Sequence, residues 1–159
     1  MVQAFLETPL GILLIQGDQD GISVIKFVEN QNKSLETDEI PSDLRDAVDQ
    51  IKNYFDGTLN EFTIKLNPQG TEFQKSVWKQ LAEIPFGKTT SYLQMAKNLG
   101  DTKVIRAAAS ANGKNPISII IPCHRVIGSD NSMTGYAGGI WRKKWLLAHE
   151  SPVTQHTLF

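Results

Sequence analysis

The one cysteine of the chain, Cys123, lies between a proline and a histidine in Ile-Ile-Ile-Pro-Cys-His-Arg-Val, residues 119–126. A thiol becomes a nucleophile when a nearby base or cation favours the thiolate, and His124 and Arg125 are such neighbours. The alternative is a small buried apolar residue, since free cysteines often occupy such positions. Adjacent side chains on a strand point to opposite faces. His124 therefore reaches Cys123 only if the chain turns here or a water bridges the two.

Length and composition limit the classes of protein to consider. A chain of 159 residues with 40% hydrophobic content can bury a core as one domain or two small ones. No apolar run approaches the ~20 residues of a membrane helix, and no signal peptide is evident at the amino terminus. A single cysteine cannot form an internal disulfide or a cysteine-based zinc cluster. We therefore expect a cytoplasmic protein that does not enter a membrane.

The net charge of −1 conceals an asymmetry between the two halves. Residues 1–70 carry 5 Lys/Arg and 12 Asp/Glu, whereas residues 71–159 carry 11 Lys/Arg and 5 Asp/Glu. Such a division favours a polyanion as the partner of the second half, although a merely dipolar surface would look the same. Only the second half is a candidate for contact with nucleic acid.

The first half is predicted to be a small sheet with one helix. Three β-branched runs separated by turn residues predict an antiparallel meander, over Val2–Leu6, Ile12–Gln16 and Ile22–Val28. A loop over 29–40 and a further strand over 62–66 are also expected. The intervening helix should begin at a Ser N-cap, bury one apolar face and end at a glycine, as in Ser42, Leu44, Val48, Ile51, Phe55 and Gly57. The turn at 67–70 predicts a domain boundary, which gives domains 1–70 and 71–159.

The second half is predicted to be mainly helical. Thr71 is a candidate N-cap for a first helix, and Thr90 or Ser91 for a second that ends at Gly100. Asp101 or Thr102 should start a third. A helix, a short glycine turn and another helix are typical of a helix-turn-helix, although two packed helices without a ligand share the pattern.

Two further segments of this half could approach a ligand closely. The third helix carries Arg106 beside small residues, Ala107–Ala111, which favours close approach to DNA over a tight core contact. The glycine-rich segment 135–139 could lie against a ligand or form an ordinary turn. A last helix over 140–150 should turn Trp141 and Trp145 to the core and Arg142–Lys144 to solvent. Residues 151–159 are expected to be a frayed tail.

Pro122-Cys123-His124-Arg125-Val126 resembles the signature of the O6-alkylguanine-DNA alkyltransferases, also called methylated-DNA–protein-cysteine methyltransferases. Further matches fall in the family's order and spacing over about residues 71–150. They are Phe73-Gln74, Val77-Trp78, Ile84-Pro85-Phe86-Gly87, Ser91-Tyr92, Arg106-Ala107, Asn115-Pro116, Gly135-Tyr136-Ala137-Gly138-Gly139 and Trp145-Leu146-Leu147 through Glu150. So many matches in register make the resemblance specific.

The resemblance implies an α+β fold. A small antiparallel-sheet, ribonuclease-H-like domain would precede a mainly helical, winged-helix-like domain with a helix-turn-helix. It also implies DNA repair by direct reversal, in which one alkyl group moves irreversibly from O6-alkylguanine to the protein. The partner would be double-stranded DNA bound through the minor groove by a monomer. We expect no cofactor, and no zinc site in residues 1–70, because that part of the chain contains neither Cys nor His.

The resemblance also implies catalytic roles. Cys123 would accept the alkyl group, His124 would take the thiol proton through a water, and Glu150 would orient His124. Tyr92 would donate to a ring nitrogen of the flipped base, and Asn115 would brace the active-site segment.

DNA would be contacted by Arg106, which fills the gap left by the flipped nucleotide, and by Ala107, Ser91 and Arg125. The base pocket would be formed by Val126, Tyr136, Ala137 and Gly138. Here Ala137 replaces a serine found in some members, and residues 1–70 lack the Cys and His of the zinc-binding members.

Two other functions remain open at this point. A Cys-His-Glu hydrolase would need an oxyanion hole and repeated turnover. A DNA-binding protein that senses alkylation without repairing it would leave its own mass unchanged.

Overall fold

The computed structural model describes residues 1–29 and 36–151, so part of the predicted loop and all but the first residue of the predicted tail lie outside it. The chain divides into two compact units. One consists of Met1–Gln69 with Pro116–Ser118, and the other of Gly70–Asn115 with the chain from Ile119 onwards. The α+β class predicted from the sequence is confirmed: a three-stranded antiparallel sheet precedes a mainly helical part.

The first unit contains the predicted meander. Its strands, in the order β1-β2-β3, are β1 (Val2–Thr8), β2 (Gly11–Asp18) and β3 (Gly21–Val28). Helix α1 (Arg45–Asp56) buries Val48, Ile51 and the fully enclosed Tyr54, and it ends at Gly57, whose φ of 84° suits a glycine.

Two local predictions in this unit are wrong. Ser42 does not cap a helix; it begins a 3-10 turn, Ser42–Leu44, with Pro41 in the cap position and no side-chain cap bond. A proline at the cap leaves no side-chain acceptor for the first N–H groups. Residues 62–66 do not form a strand, and only Leu66 makes a single bridge, to Ile22. Main-chain pairing at one residue is too little to define a strand.

The apolar run before the cysteine is buried but does not continue as a strand. Pro116–Ser118 joins the edge of β3: Ile25 N–H donates to the Pro116 carbonyl (2.9 Å), and Ser118 N–H donates to the Ile25 carbonyl (2.8 Å). Ile119 then adopts a φ of +73°, a left-handed conformation that is costly for a β-branched residue. This residue ends the extended segment four positions before Cys123.

Up to Ser151, where the described part of the chain ends, the second unit contains four α-helices and a two-stranded parallel pair. They are α2 (Glu72–Ala82), β4 (Thr90–Ser91), α3 (Tyr92–Asn98), α4 (Ile105–Gly113), β5 (Val126–Ile127) and α5 (Ile140–Glu150). β4 pairs with β5, and α4 packs against both α2 and α3. Gly100 and a 3-10 turn capped by Asp101 separate α3 from α4, as the helix-turn-helix prediction requires.

The orientation predicted for α5 needs correction. Trp141 is 58% exposed instead of facing the core, and the Arg142 guanidinium lies 4.5 Å from its ring centroid. Lys143, expected in solvent, is fully buried. Its ammonium finds backbone carbonyls inside the unit, which make burial of the charge tolerable.

The start of α2 provides a test of the local structure. The Thr71 hydroxyl accepts from Gln74 N–H (3.0 Å), and the Gln74 side chain accepts from Thr71 N–H (2.9 Å), a capping box. We expect Thr71→Ala to lower the free energy of unfolding by about 1 kcal/mol, measured from urea midpoints. Lys75→Ala, an exposed change in the same helix, is the control. Equal midpoints for the Thr71 variant and the wild type would refute a stabilising cap.

Candidate active site

Cys123, His124 and Arg125 form a single 3-10 turn, and all three are buried. The turn begins after Pro122, whose carbonyl accepts from Arg125 N–H at 2.9 Å. The chain therefore bends at the cysteine. The structure thus contains the turn, and a water that links the two side chains stays a prediction.

One carboxylate organises this turn. Glu150, the last residue of α5, accepts from His124 Nε2 (2.8 Å) through Oε2. Its two oxygens also accept from the Arg125 guanidinium, Oε1 from Nε at 2.8 Å and Oε2 from Nη2 at 3.0 Å. The remaining Arg125 nitrogen, Nη1, donates to the Ile84 carbonyl (2.6 Å). The bidentate pair holds the carboxylate in one orientation beneath the histidine.

Burial and charge together determine the protonation of this cluster. Burial alone would raise the pKa of Glu150, but the contacts with His124 and Arg125 outweigh it and lower the pKa to about 2. Burial lowers the pKa of His124, and Arg125 and Lys143 add to that effect, although Glu150 opposes it. Near neutral pH the group is therefore an ionised glutamate beside a neutral histidine.

This protonation state selects the histidine tautomer. An ionised carboxylate only accepts hydrogen bonds, so His124 Nε2 must carry the proton that lies toward Glu150. Nδ1 then holds the free lone pair. It is buried, and no residue in the described ranges makes a hydrogen bond to it. His124 thus presents an unoccupied base, as a general base requires.

The thiol needs such a base. Burial raises the pKa of Cys123, while a hydrogen bond from Asn115 and the charge of Lys143 lower it in part. Asn115 Nδ2 also donates to the Ile121 carbonyl (2.7 Å), which braces the segment leading to the cysteine. The free protein thus holds a protonated thiol that becomes nucleophilic on losing its proton.

A cavity of about 610 Å³ lies within the second unit, and Cys123 lines it. Its walls are mostly apolar and come from α3, α4, the cysteine turn and the glycine-rich loop. The lining residues are Tyr92, Ile105, Arg106, Ala109, Asn112, Gly113, Cys123, Thr134, Gly135, Tyr136 and Ala137. This volume suits a planar heterocycle and is in the usual range of ligand sites.

Five of the thirteen predicted site residues, Cys123 among them, line this cavity. Tyr92, Arg106, Tyr136 and Ala137 line it, and Ala107 lies exposed beside Arg106 on α4.

Three predicted residues have other surroundings. Val126 is buried, and its carbonyl accepts from Lys143. The Gly138 carbonyl accepts from Arg142 Nη1 (2.8 Å). The Ser91 hydroxyl caps α3 by accepting from Gln94 N–H (3.0 Å).

The expected contact between Arg125 and DNA is not supported. Its side chain is 8% exposed, and its donors are directed to Glu150 and Ile84. Its ring neighbour is Phe86, 5.8 Å from the guanidinium carbon to the centroid. Arg125 is therefore part of the interior and holds Glu150 in place.

Two residues at the site were missed from the sequence. Asn112 is buried in the cavity wall and Lys143 lies below the glycine-rich loop. For Lys143 a signal was available, because positions 143, 146, 147 and 150 repeat at i, i+3, i+4 and i+7, the spacing of one helix face. The basic run Arg142–Lys144 hid that spacing.

Two further features of the described residues bear on the class of site. Residues 1–29 and 36–151 contain no group of three or more His, Cys, Asp or Glu that could hold a metal ion. Over the same ranges, no helix has the length and apolar character needed to cross a membrane.

Family comparisons cover nearly the whole chain. The family described as 6-O-methylguanine DNA methyltransferase matches through its DNA binding domain at residues 72–152 and its ribonuclease-like domain at residues 1–68. A methylated-DNA–protein-cysteine methyltransferase of Methanosarcina acetivorans is 46% identical over 153 residues, which is 94% of this chain and 98% of that protein.

Solved structures are also similar to this chain over nearly all of its length. A crystal structure of Mycobacterium tuberculosis OGT in complex with DNA is similar with a TM-score of 0.82 and 42% identity, over 98% of this chain and 97% of that one. A Mycobacterium tuberculosis O6-methylguanine methyltransferase gives a TM-score of 0.82 and 38% identity, over 99% and 98%.

The buried carboxylate of Glu150 should make the free energy of unfolding depend on pH in the acidic range. Folding lowers the pKa of Glu150 from 4.5 to about 2, so its stabilisation is present above the unfolded-state value and lost as the pH falls toward 2. We expect Glu150→Gln to lower the free energy of unfolding near neutral pH by on the order of 3 kcal/mol, because Arg125 loses its counter-charge. Between about pH 5 and pH 2 the variant should then lose less stability than the wild type.

Urea unfolding at a series of pH values measures both effects. Glu83→Gln, which removes an exposed carboxylate from the end of α2, is the control and should leave the curve unchanged. A wild-type acid dependence that persists in full in Glu150→Gln would contradict the assignment.

Proposed function

This chain belongs to the 6-O-methylguanine DNA methyltransferase family, and on that premise we propose that it repairs DNA by moving the alkyl group of O6-alkylguanine onto Cys123. One observation carries the assignment of roles. A neutral histidine with an unoccupied Nδ1 lies next to a buried thiol, and that thiol lines an apolar cavity shared with Tyr92 and Arg106.

The reaction follows from this arrangement. His124 Nδ1 takes the thiol proton through a water, and Glu150 stabilises the charge that forms on the ring, as in a triad. The sulfur attacks the alkyl carbon, and the carbon–O6 bond breaks with its electron pair passing into the guanine. Tyr92 donates a hydrogen bond to a ring nitrogen as this charge develops, and the proton taken from the thiol ends on the guanine. The products are guanine in DNA and a thioether on Cys123.

The product explains why the protein acts once. A thioether carbon–sulfur bond is not readily cleaved by water, so Cys123 is not regenerated. Each protein molecule is therefore consumed by a single transfer.

The DNA contacts are assigned to α4. Its exposed face carries small side chains, including Ala107, and these allow a backbone to approach the minor groove closely. Arg106 lines the cavity and is exposed, which supports its assignment to the gap left by the extruded nucleotide. Extrusion costs a few kcal/mol and costs less for a weakly paired damaged base, which aids selection of O6-alkylguanine. Ser91 precedes α3, and its hydroxyl caps that helix.

Intact mass measures the proposed transfer directly. After incubation with duplex DNA containing O6-methylguanine, each protein molecule should gain a single methyl group, located on Cys123. Cys123→Ser should gain none while still binding DNA. Repeated removal of methyl groups from the DNA would instead indicate a hydrolase. An unchanged wild-type mass together with DNA that keeps its methyl group would indicate a damage sensor.

Arg106 should matter only where a nucleotide must be extruded. We expect Arg106→Ala to slow transfer from duplex DNA by about tenfold or more, because the flipped state loses the group that occupies its gap. The rate with a free-base analogue such as O6-benzylguanine should stay near that of the wild type. Lys103→Ala, an exposed cation just before α4, is the control. Equal losses of Arg106→Ala on both substrates would contradict this role.

A further inference from the structure

Lys143 is a buried cation that the proposed reaction does not use. It is fully buried in the second unit, and its ammonium donates to the carbonyls of Val126 (2.6 Å), Thr134 (2.8 Å) and Gly135 (3.3 Å). These three bonds use all the donors of an ammonium group. Within residues 1–29 and 36–151, Lys143 forms no ion pair with a carboxylate.

The three carbonyls belong to the two segments that form the site. Val126 follows the cysteine turn directly, whereas Thr134 and Gly135 belong to the loop that lines the cavity. The ammonium of Lys143 therefore links the loop at Thr134 and Gly135 to β5, the strand that follows the cysteine turn. Without these hydrogen bonds, the glycine-rich loop would not be held at the cavity wall.

The charge of Lys143 also acts on the thiol. Burial lowers the pKa of Lys143 to about 8, and the interaction with Cys123 opposes that fall. The same interaction favours the thiolate of Cys123 against the effect of burial. An unpaired cation in a low-dielectric interior acts over a longer range than one at the surface.

The other charged groups near the thiol do not supply this field. Glu150 is ionised and Arg125 cancels its charge, while His124 is neutral. Arg106 from α4 lines the same cavity but is exposed, so solvent and salt screen it. Tyr92 from α3 and Asn115 carry no charge that would favour a thiolate. Lys143 is the uncompensated buried cation of this group.

We propose that Lys143 is a positioning residue of the transfer reaction, one whose buried ammonium holds the cavity loop against the active-site strand and supplies the positive charge that stabilises the Cys123 thiolate. The role of Lys143 in alkyl transfer rests on the proposed function. The effect on the thiol is a property of the free protein and can be measured without DNA.

The test is the pH dependence of Cys123 alkylation by iodoacetamide in the DNA-free protein. Cys123 is the one cysteine of the chain, so the reaction reports that thiol alone. Lys143→Met keeps a long unbranched side chain and removes the charge. We expect the midpoint of its alkylation profile to rise by about one pH unit or more, with ~10-fold slower alkylation near neutral pH. Lys144→Met, the exposed neighbour in α5, should match the wild type.

Two further variants separate charge from structure. Lys143→Arg keeps the charge and should restore a midpoint close to that of the wild type. Lys143→Gln keeps two donors for the carbonyls without the charge, and it should behave like Lys143→Met. It also serves if Lys143→Met fails to fold by circular dichroism. A wild-type midpoint in a folded Lys143→Gln or Lys143→Met protein would overturn the electrostatic role.

The transfer assay distinguishes this inference from the proposed function. If wild-type protein gains no methyl group from O6-methylguanine DNA, the proposed function fails while the alkylation profiles still report on Lys143. If transfer occurs and the Lys143→Met profile is unshifted, the inference fails alone.

Discussion

The carboxylate of Glu150 is the contact on which the site depends. It ends α5 and accepts from two consecutive residues of the cysteine turn, His124 and Arg125. Without it, a guanidinium would be buried with no counter-charge and the imidazole would lose the acceptor that determines its tautomer. One buried anion thus fixes the end of a helix, the shape of the turn and the direction of the free histidine lone pair.

Burial of Cys123 disfavours the charged thiolate that the reaction needs. The mostly apolar cavity leaves room for a planar heterocycle, but burial also raises the pKa of Cys123. Two groups placed by separate elements lower this pKa in part: Asn115 after α4 through a hydrogen bond, and Lys143 in α5 through its charge. The site is therefore a balance between desolvation and a small number of directed charges.

The backbone before the cysteine shows how the turn is held. Pro116–Ser118 pairs with β3 as part of the first unit, and Ile119 then takes a left-handed conformation before the chain enters the cysteine turn. Asn115 bonds to the Ile121 carbonyl across this bend. This hydrogen bond restrains the segment that leads to the cysteine turn.

Local chemistry in the sequence determined the elements whose signals are local. The three strands, the Thr71 cap, the Ser91 cap and the two helices separated by Gly100 all follow from turn residues, caps and apolar spacing, and the motif around Cys123 identified the family. Tertiary structure alone decided what depends on partners distant in the chain. Arg125 is interior because Glu150 lies beside it, Lys143 is buried because three carbonyls surround its ammonium, and Trp141 is exposed although it is apolar. A charged residue is buried or exposed according to whether the fold supplies partners that replace water, and residue type and spacing do not reveal those partners.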